Sequence, residues 1–313
     1  MSFVRHLKAV GRQQCGSVLP FFAVCMTMIM GFCAISIDAG RLYTTKLALV
    51  NVADAAALAG ASRLPEDPGG GIQTARNYAS LNGADPSSVS VEVLGDDGRK
   101  IRVDVQRQVR LEFAGVLFSN QEPVVVRSSA IIGVTRRAKG AEPFGLEEAA
   151  FELGLSYVIK LDSGSDPGPS QGNFHALALG LRGAATYRHN VQYGYQEYLT
   201  VGDQVDTETG NMEGPTQDGI NARLNSDPLA TYEKHSATSP RVLLIPVIYS
   251  FDVDGRKKVL IRGFASLFLE DYRVPGSGSH EIVGRFLRRI IAGDMDQDGT
   301  VTDFGTRTVK LVR

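Results

Sequence analysis

The longest apolar run of the chain lies near its start and predicts a helix that crosses a membrane. From Gly16 to Ile37 the sequence reads GSVLPFFAVCMTMIMGFCAISI and contains no charged residue. As a helix this run would be about 33 Å long, at about 1.5 Å per residue, which matches the hydrocarbon core of a bilayer. We therefore interpret residues 16–37 as a transmembrane helix.

The charges on either side of this run predict its orientation. Residues 1–15 contain three basic residues and no acidic one, and Asp38 follows the run directly. Because basic flanks stay in the cytoplasm, we expect 1–15 to be cytoplasmic and 38–313 to be exported, in a single-pass protein of the cytoplasmic membrane. A cleaved secretory signal is the competing interpretation, but such a signal has a shorter apolar region and a small-residue cleavage site.

Helical spacing continues beyond the apolar run. Leu42, Leu49 and Ala56 recur at helical intervals, and the Ala-rich run 53–61 has high helix propensity. Residues 38–64 are therefore predicted to extend the helix outside the membrane, up to the prolines and glycines that follow. This extension is either a plain stalk or a pilin-like first helix, whose small residues would let neighbouring helices approach closely.

The next segment, 65–138, predicts a small α+β unit of the pilin-like kind. A short helix is expected first, followed by three strands of alternating apolar and polar residues with a Gly-Asp-Asp-Gly turn between the first two. The predicted elements are the helix 72–82 and the strands 88–94, 101–111 and 123–134. The basic run 136–140 is predicted to be a linker.

The remainder, 139–313, predicts a β-rich domain, so the fold class expected for the whole chain is α+β. The candidate strands are 155–161, 199–205, 241–251 and 257–269, with a hairpin turn at 252–255. Residues 281–291 are ambiguous, because their apolar positions also fit a helical period.

The amino-acid composition argues against several classes of protein. Hydrophobic residues make up 43% and charged residues 21% of the chain, which excludes a mostly disordered protein. The 33 basic and 34 acidic residues give a net charge of −1, which argues against a broad basic face, so we expect no nucleic-acid partner. Cys15, Cys25 and Cys33 lie within or beside the apolar run, so disulfides cannot hold the exported part together.

The sequence offers little material for catalysis. His280 and Glu281 begin an H-E-x-x run, but Gly284 stands where a zinc protease needs its second histidine. We therefore interpret His280 as a surface histidine. The chain also lacks a P-loop and a dinucleotide fingerprint, and we predict that it is not an enzyme.

One segment has the pattern of a calcium loop. Asp294, Asp296 and Asp298 alternate before a glycine, as in loops that wrap carboxylate ligands around the ion. Thr300 would offer its backbone carbonyl, and Asp303 would replace the missing acid at the twelfth position. The segment is either a weak calcium site formed by these five residues, with calcium as the one cofactor considered, or a hydrophilic turn.

Three N-terminal runs together resemble a known family. GSVLPFFAV, which begins at Gly16, DAGRLY (38–43) and ADAAALAGA (53–61) resemble the N-terminal region of TadE/TadG-like proteins, and the whole is similar to TadG-like Flp pilus-assembly proteins. These are single-pass membrane components of bacterial tight-adherence (Tad) systems. Later stretches resemble the exported region of a subset of that family, for which no activity is defined; they are 172–180, 193–195, 201–220 and 240–248.

The resemblance implies a noncatalytic component of a Tad/Flp-type pilus assembly or secretion system in the bacterial cell envelope. Its partners would be other Tad/Flp pilus-assembly membrane proteins, reached through the transmembrane helix, together with membrane lipid. Tad prepilins are cut after a glycine in a basic leader and commonly carry Glu five positions later. Here Gly16 is present but Phe21 replaces the Glu, so cleavage stays open.

Two other functions remain as alternatives. One is a surface-exposed, adhesin-like binding protein, and the other is a membrane-tethered exported hydrolase, for which the sequence supplies no nucleophile–base pair. The identity and stoichiometry of the partners and the role of residues 172–220 are not determined by the sequence.

Overall fold

The computed structural model describes residues 18–113, 120–160, 171–208, 212–250, 258–275 and 280–312. The helices are α1 (Val18–Ala61), α2 (Pro68–Leu81), α3 (Ala184–Tyr193) and α4 (Glu213–Ser226). The first strands are β1 (Val89–Leu94), β2 (Lys100–Arg110), β3 (Gln121–Ala138), β4 (Phe144–Glu147), β5 (Ser156–Lys160), β6 (Gln171–Ala178) and β7 (Leu199–Thr200). The others are β8 (Gln204–Thr207), β9 (Val242–Ile248), β10 (Lys258–Arg273), β11 (Glu281–Leu287), β12 (Arg289–Ile290), β13 (Gly293–Met295) and β14 (Thr306–Val312). The α+β class is confirmed.

Helix α1 joins the apolar run to the Ala-rich run without a break. It has 44 residues, so it is about 66 Å long at about 1.5 Å per residue. The helix ends at Ala61, and α2 begins at Pro68, four residues earlier than predicted. The glycines expected to end α1 instead form the first turn of α2, because the Asp67 side chain accepts a hydrogen bond from the Gly70 amide at 2.8 Å and caps it.

The first sheet has the strand order β1-β2-β3-β14-β12. Strands β1, β2 and β3 form consecutive antiparallel pairs, as the alternating pattern predicts. Strand β3 continues through the predicted linker to Ala138, where it also pairs with β7 and β13. The C-terminal strand β14 returns to pair with β3 along residues 129–134. The sheet that begins in the N-terminal unit is therefore completed by the end of the chain.

The second half of α1 lies on this sheet and forms its core. In the Ala-rich run, Ala53, Ala56 and Ala57 are fully buried, and they belong to one apolar cluster with Ile101 and Val103 of β2. Small side chains let the helix backbone approach the sheet closely. The Ala-rich run therefore packs inside its own fold, where the pilin-like interpretation expected it to pack against neighbouring helices.

Six strands of the second sheet pair in a closed ring. The ring runs β5-β6-β4-β9-β10-β11 and back to β5, because β11 pairs with both β10 and β5. Closure protects strand edges from unwanted pairing. Strand β9 is buried along its whole length, consistent with a position between two neighbours and with cover on both faces. The predicted turn at 252–255 lies outside the described residues.

The ambiguous segment 281–291 is extended rather than helical. Strand β11 lies between β10 and β5, and its neighbouring residues Ile282 and Val283 are both buried, as is Phe286. A strand covered on both faces needs apolar residues at consecutive positions. Its sequence therefore loses the period-two signal and cannot be distinguished from a helix by spacing alone.

Helices α3 and α4 were not predicted from the sequence. Helix α4 contains Pro215 and Gly219, which lower helix propensity. Tertiary packing compensates: a Cβ on Gly219 would lie 2.6 Å from Val191 of α3, so the two helices are in close contact. Arg223 of α4 binds the buried carboxylate of Glu142 at 2.5 Å. Burial raises the pKa of Glu142 to about 8, and the Arg223 guanidinium opposes that rise.

We expect Gly60→Ala to destabilise the protein, because its new Cβ would lie 2.7 Å from Ile101 Cδ1 and 2.9 Å from the Gly71 carbonyl oxygen. Crowding of this kind lowers the free energy of unfolding by about 1–3 kcal/mol. Gly40→Ala, in the same helix, meets no atom within 4 Å and should stabilise by about 0.5–1 kcal/mol. Thermal unfolding of the full-length protein in detergent measures both changes. Equal melting temperatures would contradict the close packing of α1.

We also expect the buried hydroxyls of Thr135 on β3 and Thr308 on β14 to be energetically coupled, because their oxygens lie 2.9 Å apart. Thr308→Val should lower the free energy of unfolding by about 1–3 kcal/mol, since it leaves a buried hydroxyl unsatisfied. The double variant with Thr135→Val should lose less than the two single changes together. Urea unfolding of the four proteins measures the coupling. Strictly additive losses would contradict the hydrogen bond between the two hydroxyls.

Candidate functional site

The first half of α1 presents an apolar surface that the rest of the described chain does not cover. Its best 18-residue window has a mean hydropathy of 2.3, and none of that window is buried. Large apolar side chains are exposed all around the helix, among them Leu19, Phe21, Met28, Phe32 and Ile35. Within the described residues it is the one helix that is long and apolar enough to cross a membrane.

The polar side chains inside this surface satisfy their hydrogen bonds within the helix. The Thr27 hydroxyl donates to the Ala23 carbonyl at 2.5 Å, and the Ser36 hydroxyl donates to the Phe32 carbonyl at 2.8 Å. Both bonds run to the preceding turn, so neither hydroxyl needs water or a partner chain. The segment is therefore compatible with a hydrocarbon environment.

Asp38 marks the point where α1 enters the folded part of the chain. It directly follows the apolar run, yet it is only 3% exposed. Its two carboxylate oxygens accept hydrogen bonds from the backbone amides of Glu112 and Phe113, each at 3.0 Å. Amide bonds to a charged acceptor are among the stronger ones in proteins. Asp38 therefore holds the residues that follow β2 against the helix.

Arg41 reinforces this contact from the next turn of α1. Its guanidinium donates to the Glu112 carboxylate at 2.9 Å, and this hydrogen bond is the main reason why the pKa of Glu112 lies below its ordinary value. Residues three apart share one face of a helix, so Asp38 and Arg41 point toward the same segment. Sequence reasoning used Asp38 as the residue that ends the apolar run, and both residues as part of the DAGRLY run. The signal it missed is an acid and a base at this spacing directly after the apolar run.

Of the predicted calcium ligands, Asp294 lies on β13 and the other four follow in the segment before β14, but their side chains do not converge on a shared centre. Asp294 accepts a hydrogen bond from Lys310 at 3.0 Å, whereas Asp303 pairs with Arg307 at 2.7 Å. Asp298 is exposed, with the Arg136 guanidinium 3.4 Å away. No group of three or more His, Cys, Asp or Glu side chains in the described ranges could hold a metal ion. The described side chains bring no three of these carboxylates together, and calcium binding by these residues remains a prediction.

Asp296 alone points into the loop. Its carboxylate is buried and accepts hydrogen bonds from the Val301 amide at 3.0 Å and from the Thr300 hydroxyl at 3.4 Å. Removal from water raises the pKa of Asp296, but donation from backbone amides, with Val301 foremost, outweighs this and holds the pKa below its ordinary value. Gly299, with a φ of 68°, provides the left-handed turn that the loop needs. The carboxylate therefore stabilises the loop by itself.

His280 is partly buried, where the sequence suggested a surface position. Its Nδ1 shares a hydrogen bond with the Tyr272 hydroxyl, and its Nε2 lies 3.5 Å from the Glu213 carboxylate. Strand β11 begins directly after it, so the histidine links β10, β11 and the start of α4. These contacts make His280 part of the packing of the second sheet.

Two neighbouring clefts lie near the junction of the sheets. Their volumes are about 580 and about 370 Å³, and Arg288 and Gly305 line both. The larger cleft is lined by Phe151, Leu153 and Phe304 on its apolar side and by Glu148 and Asp303 among its acids. No Ser, Cys or His lines the larger cleft, so it presents no nucleophile–base pair of the common kinds.

Comparison with known proteins identifies the N-terminal helix. Residues 16–63 match the model of the Tad family, described as Flp pilus-assembly TadE/G-like. The match spans the apolar run and the Ala-rich run together, and it confirms the resemblance noted from the sequence. No curated protein and no solved structure matches the chain. The resemblance of the later stretches, 172–248, remains a prediction, and Gly16 and Cys15 lie outside the described residues.

We expect Asp296→Asn to lower the melting temperature at neutral pH, while Asp298→Asn, on the exposed neighbour, should have little effect. Because the folded pKa of Asp296 is depressed, its contribution is complete above the ordinary value of 3.8 and is lost as the pH falls through the lower folded value. The difference between wild type and Asp296→Asn should therefore shrink in acid. Thermal unfolding from neutral to acidic pH measures it.

The same two variants test calcium at this loop. Full-length protein is unfolded with and without added CaCl2 after treatment with a chelator. If the ion binds, the melting temperature rises with calcium, and Asp298→Asn removes the rise because it deletes a ligand without removing the Asp296 hydrogen bonds. A calcium-independent melting temperature, together with the loss in Asp296→Asn, would contradict the calcium prediction.

Proposed function

We propose that this TadG-like Flp pilus-assembly protein, whose family region spans residues 16–63, is a noncatalytic single-pass membrane component of a Tad/Flp-type pilus assembly or secretion system. The observation that carries the proposal is the division of α1 into two halves. The first half is apolar and exposed on all sides, and one face of the second half is buried in the folded part of the chain. One rigid helix therefore connects a membrane span directly to the exported fold.

The charge distribution supports an orientation with the N-terminus in the cytoplasm. The basic segment 1–15 would remain inside, and residues 38–313 would be exported. The three cysteines, Cys15, Cys25 and Cys33, all precede residue 38, so none of the exported residues is a cysteine. The exported fold is accordingly held by its apolar clusters and by closure of the second sheet, which do not depend on the redox state of the compartment.

The exposed half of α1 is also the surface on which we place partner contacts. Lipid covers an apolar helix of this kind, and the helices of other pilus-assembly proteins could replace lipid wherever small residues allow close approach. Gly31 and Gly40 have no atom within 4 Å of an added Cβ, so the described chain itself leaves both positions open. Partners of the exported sheets are proposed to be pilus or envelope components.

Cysteine accessibility in intact cells tests the topology. With the three native cysteines replaced, Ser80→Cys on α2 and Asn221→Cys on α4 each place one exposed thiol in the exported part. Both should react with a membrane-impermeant maleimide, after permeabilisation of an outer membrane where one is present. A matched control keeps only the native Cys15, which should react only after the cytoplasmic membrane is opened.

The size and the membrane association of the labelled product are followed in the same samples. A full-length, membrane-bound, labelled protein is the expected result. Protection of Asn221→Cys in intact cells would place the large sheet in the cytoplasm and would contradict the proposal. A labelled but shortened and soluble product would show that the span is a cleaved leader.

A further inference from the structure

We propose that the segment following β2, Leu111–Phe113, rests on the outer surface of the membrane and forms a second contact with lipid beside α1. The inference rests on the proposed function, because it takes the apolar half of α1 as the membrane span. It adds an interaction surface and a partner, the interfacial region of the bilayer.

The segment Leu111–Phe113 lies beside the residue of α1 that ends the apolar run. The amides of Glu112 and Phe113 bind Asp38, and Asp38 directly follows Ile37, the last residue of the apolar run. A span of about 20 residues fills the hydrocarbon core, so residue 38 lies where hydrocarbon gives way to headgroups. Because two hydrogen bonds fix the segment to this residue, it lies at the same level.

Aromatic side chains are exposed near this end of the apolar run. Phe113 is 47% exposed, and Tyr43, five residues beyond Asp38, is 64% exposed. Aromatic residues are enriched where a membrane meets water, since their rings fit the headgroup region. Leu111, two residues before Phe113, is partly buried. A Phe ring held at this height by its own backbone amide faces the interface rather than bulk water.

The acidic groups at this level of α1 have hydrogen-bond or ion-pair partners. Asp38 is buried and satisfied by amides, and the exposed Glu112 is neutralised by Arg41 at 2.9 Å. Arg110, which precedes this segment, is exposed and near enough to Glu112 to contribute to its lowered pKa. The surface that faces the membrane therefore carries no unpaired acid among Leu111–Phe113, and a cation stands next to it for lipid phosphate groups.

Strand β3 leads away from this contact, so most of the exported fold lies farther from the membrane. Gln121 of β3 pairs with Arg110, at the membrane end of β2, and the strand then runs to Ala138. Its 18 residues extend about 56 Å at about 3.3 Å per residue, so the second sheet joins β3 far from the Asp38 contact. Of these two ends of β3, only the one beside β2 lies at the level of the span.

The chain contains no Trp, so a single introduced Trp reports its own surroundings. Full-length Phe113→Trp protein is reconstituted into vesicles of zwitterionic and anionic phospholipids, with bromine atoms placed either near the headgroup end or near the terminal end of the acyl chains. The expected result is that shallow bromines quench the emission several-fold more than deep ones. Such a profile is that of a ring in the interfacial region.

Two matched variants serve as references for a Trp inside the bilayer and a Trp in water. Met28→Trp, in the middle of the span, should be quenched most by deep bromines, and Leu229→Trp, 90% exposed just after α4, should not be quenched. If Met28→Trp is quenched and Phe113→Trp is not, the inference fails and the membrane anchor stands. If Met28→Trp is also unquenched, the anchor itself fails. Blue-shifted but unquenched emission from Phe113→Trp would mean contact with protein, which overturns the lipid contact.

The role of Asp38 is tested in the same vesicles. Asp38→Ala removes the acceptor of both amide bonds, so the quenching of Phe113→Trp by shallow bromines should fall several-fold while that of Met28→Trp stays unchanged. Asp54→Ala, on the same helix but away from the span, is the matched control and should change neither signal. Equal loss in Asp54→Ala would show a general effect on folding and would overturn the positioning role of Asp38.

Discussion

The packing of the Ala-rich half of α1 against the first sheet is the contact on which the rest of the structure depends. A helix of 44 residues cannot be stable in water when half of its surface is apolar and uncovered. The sheet covers one face of the second half, through side chains small enough for close approach, and the described chain leaves the first half uncovered. Because the helix is continuous, any force on its apolar half acts directly on the core of the folded part.

Pairing between strands that are distant in the sequence explains how the folded part can be stable without disulfides. Strand β14 adds the end of the chain to a sheet that begins near residue 89, and six strands of the second sheet close into a ring. Both devices pair strands that are far apart in the sequence, so the two sheets form only when most of the chain is present. Helices α3 and α4 add the buried pair of Arg223 and Glu142, which joins α4 to the approach to β4.

Polar interactions join α1 to the folded part directly after the apolar run. Asp38 and Arg41 belong to the DAGRLY run within the family region, and both bind the segment after β2. Their side chains orient the folded part relative to the apolar half of the helix. In an assembly of membrane proteins that arrangement would present the sheets of each copy at one height above the bilayer.

The sequence by itself determined the elements whose signals are local: the span, the Ala-rich helix, the alternating strands β1 and β2, and the fully apolar strand β9. It could not determine β11, whose cover on both faces removes the alternating pattern, or α4, whose Pro215 and Gly219 are outweighed by contacts with α3. It grouped Asp294 and Asp303 with Asp296, whereas tertiary neighbours on β14 draw the first two away. Asp38 was visible as the end of an apolar run and as the first residue of DAGRLY, and the tertiary structure decided its partners, because the amides that it binds lie 74 and 75 residues along the chain.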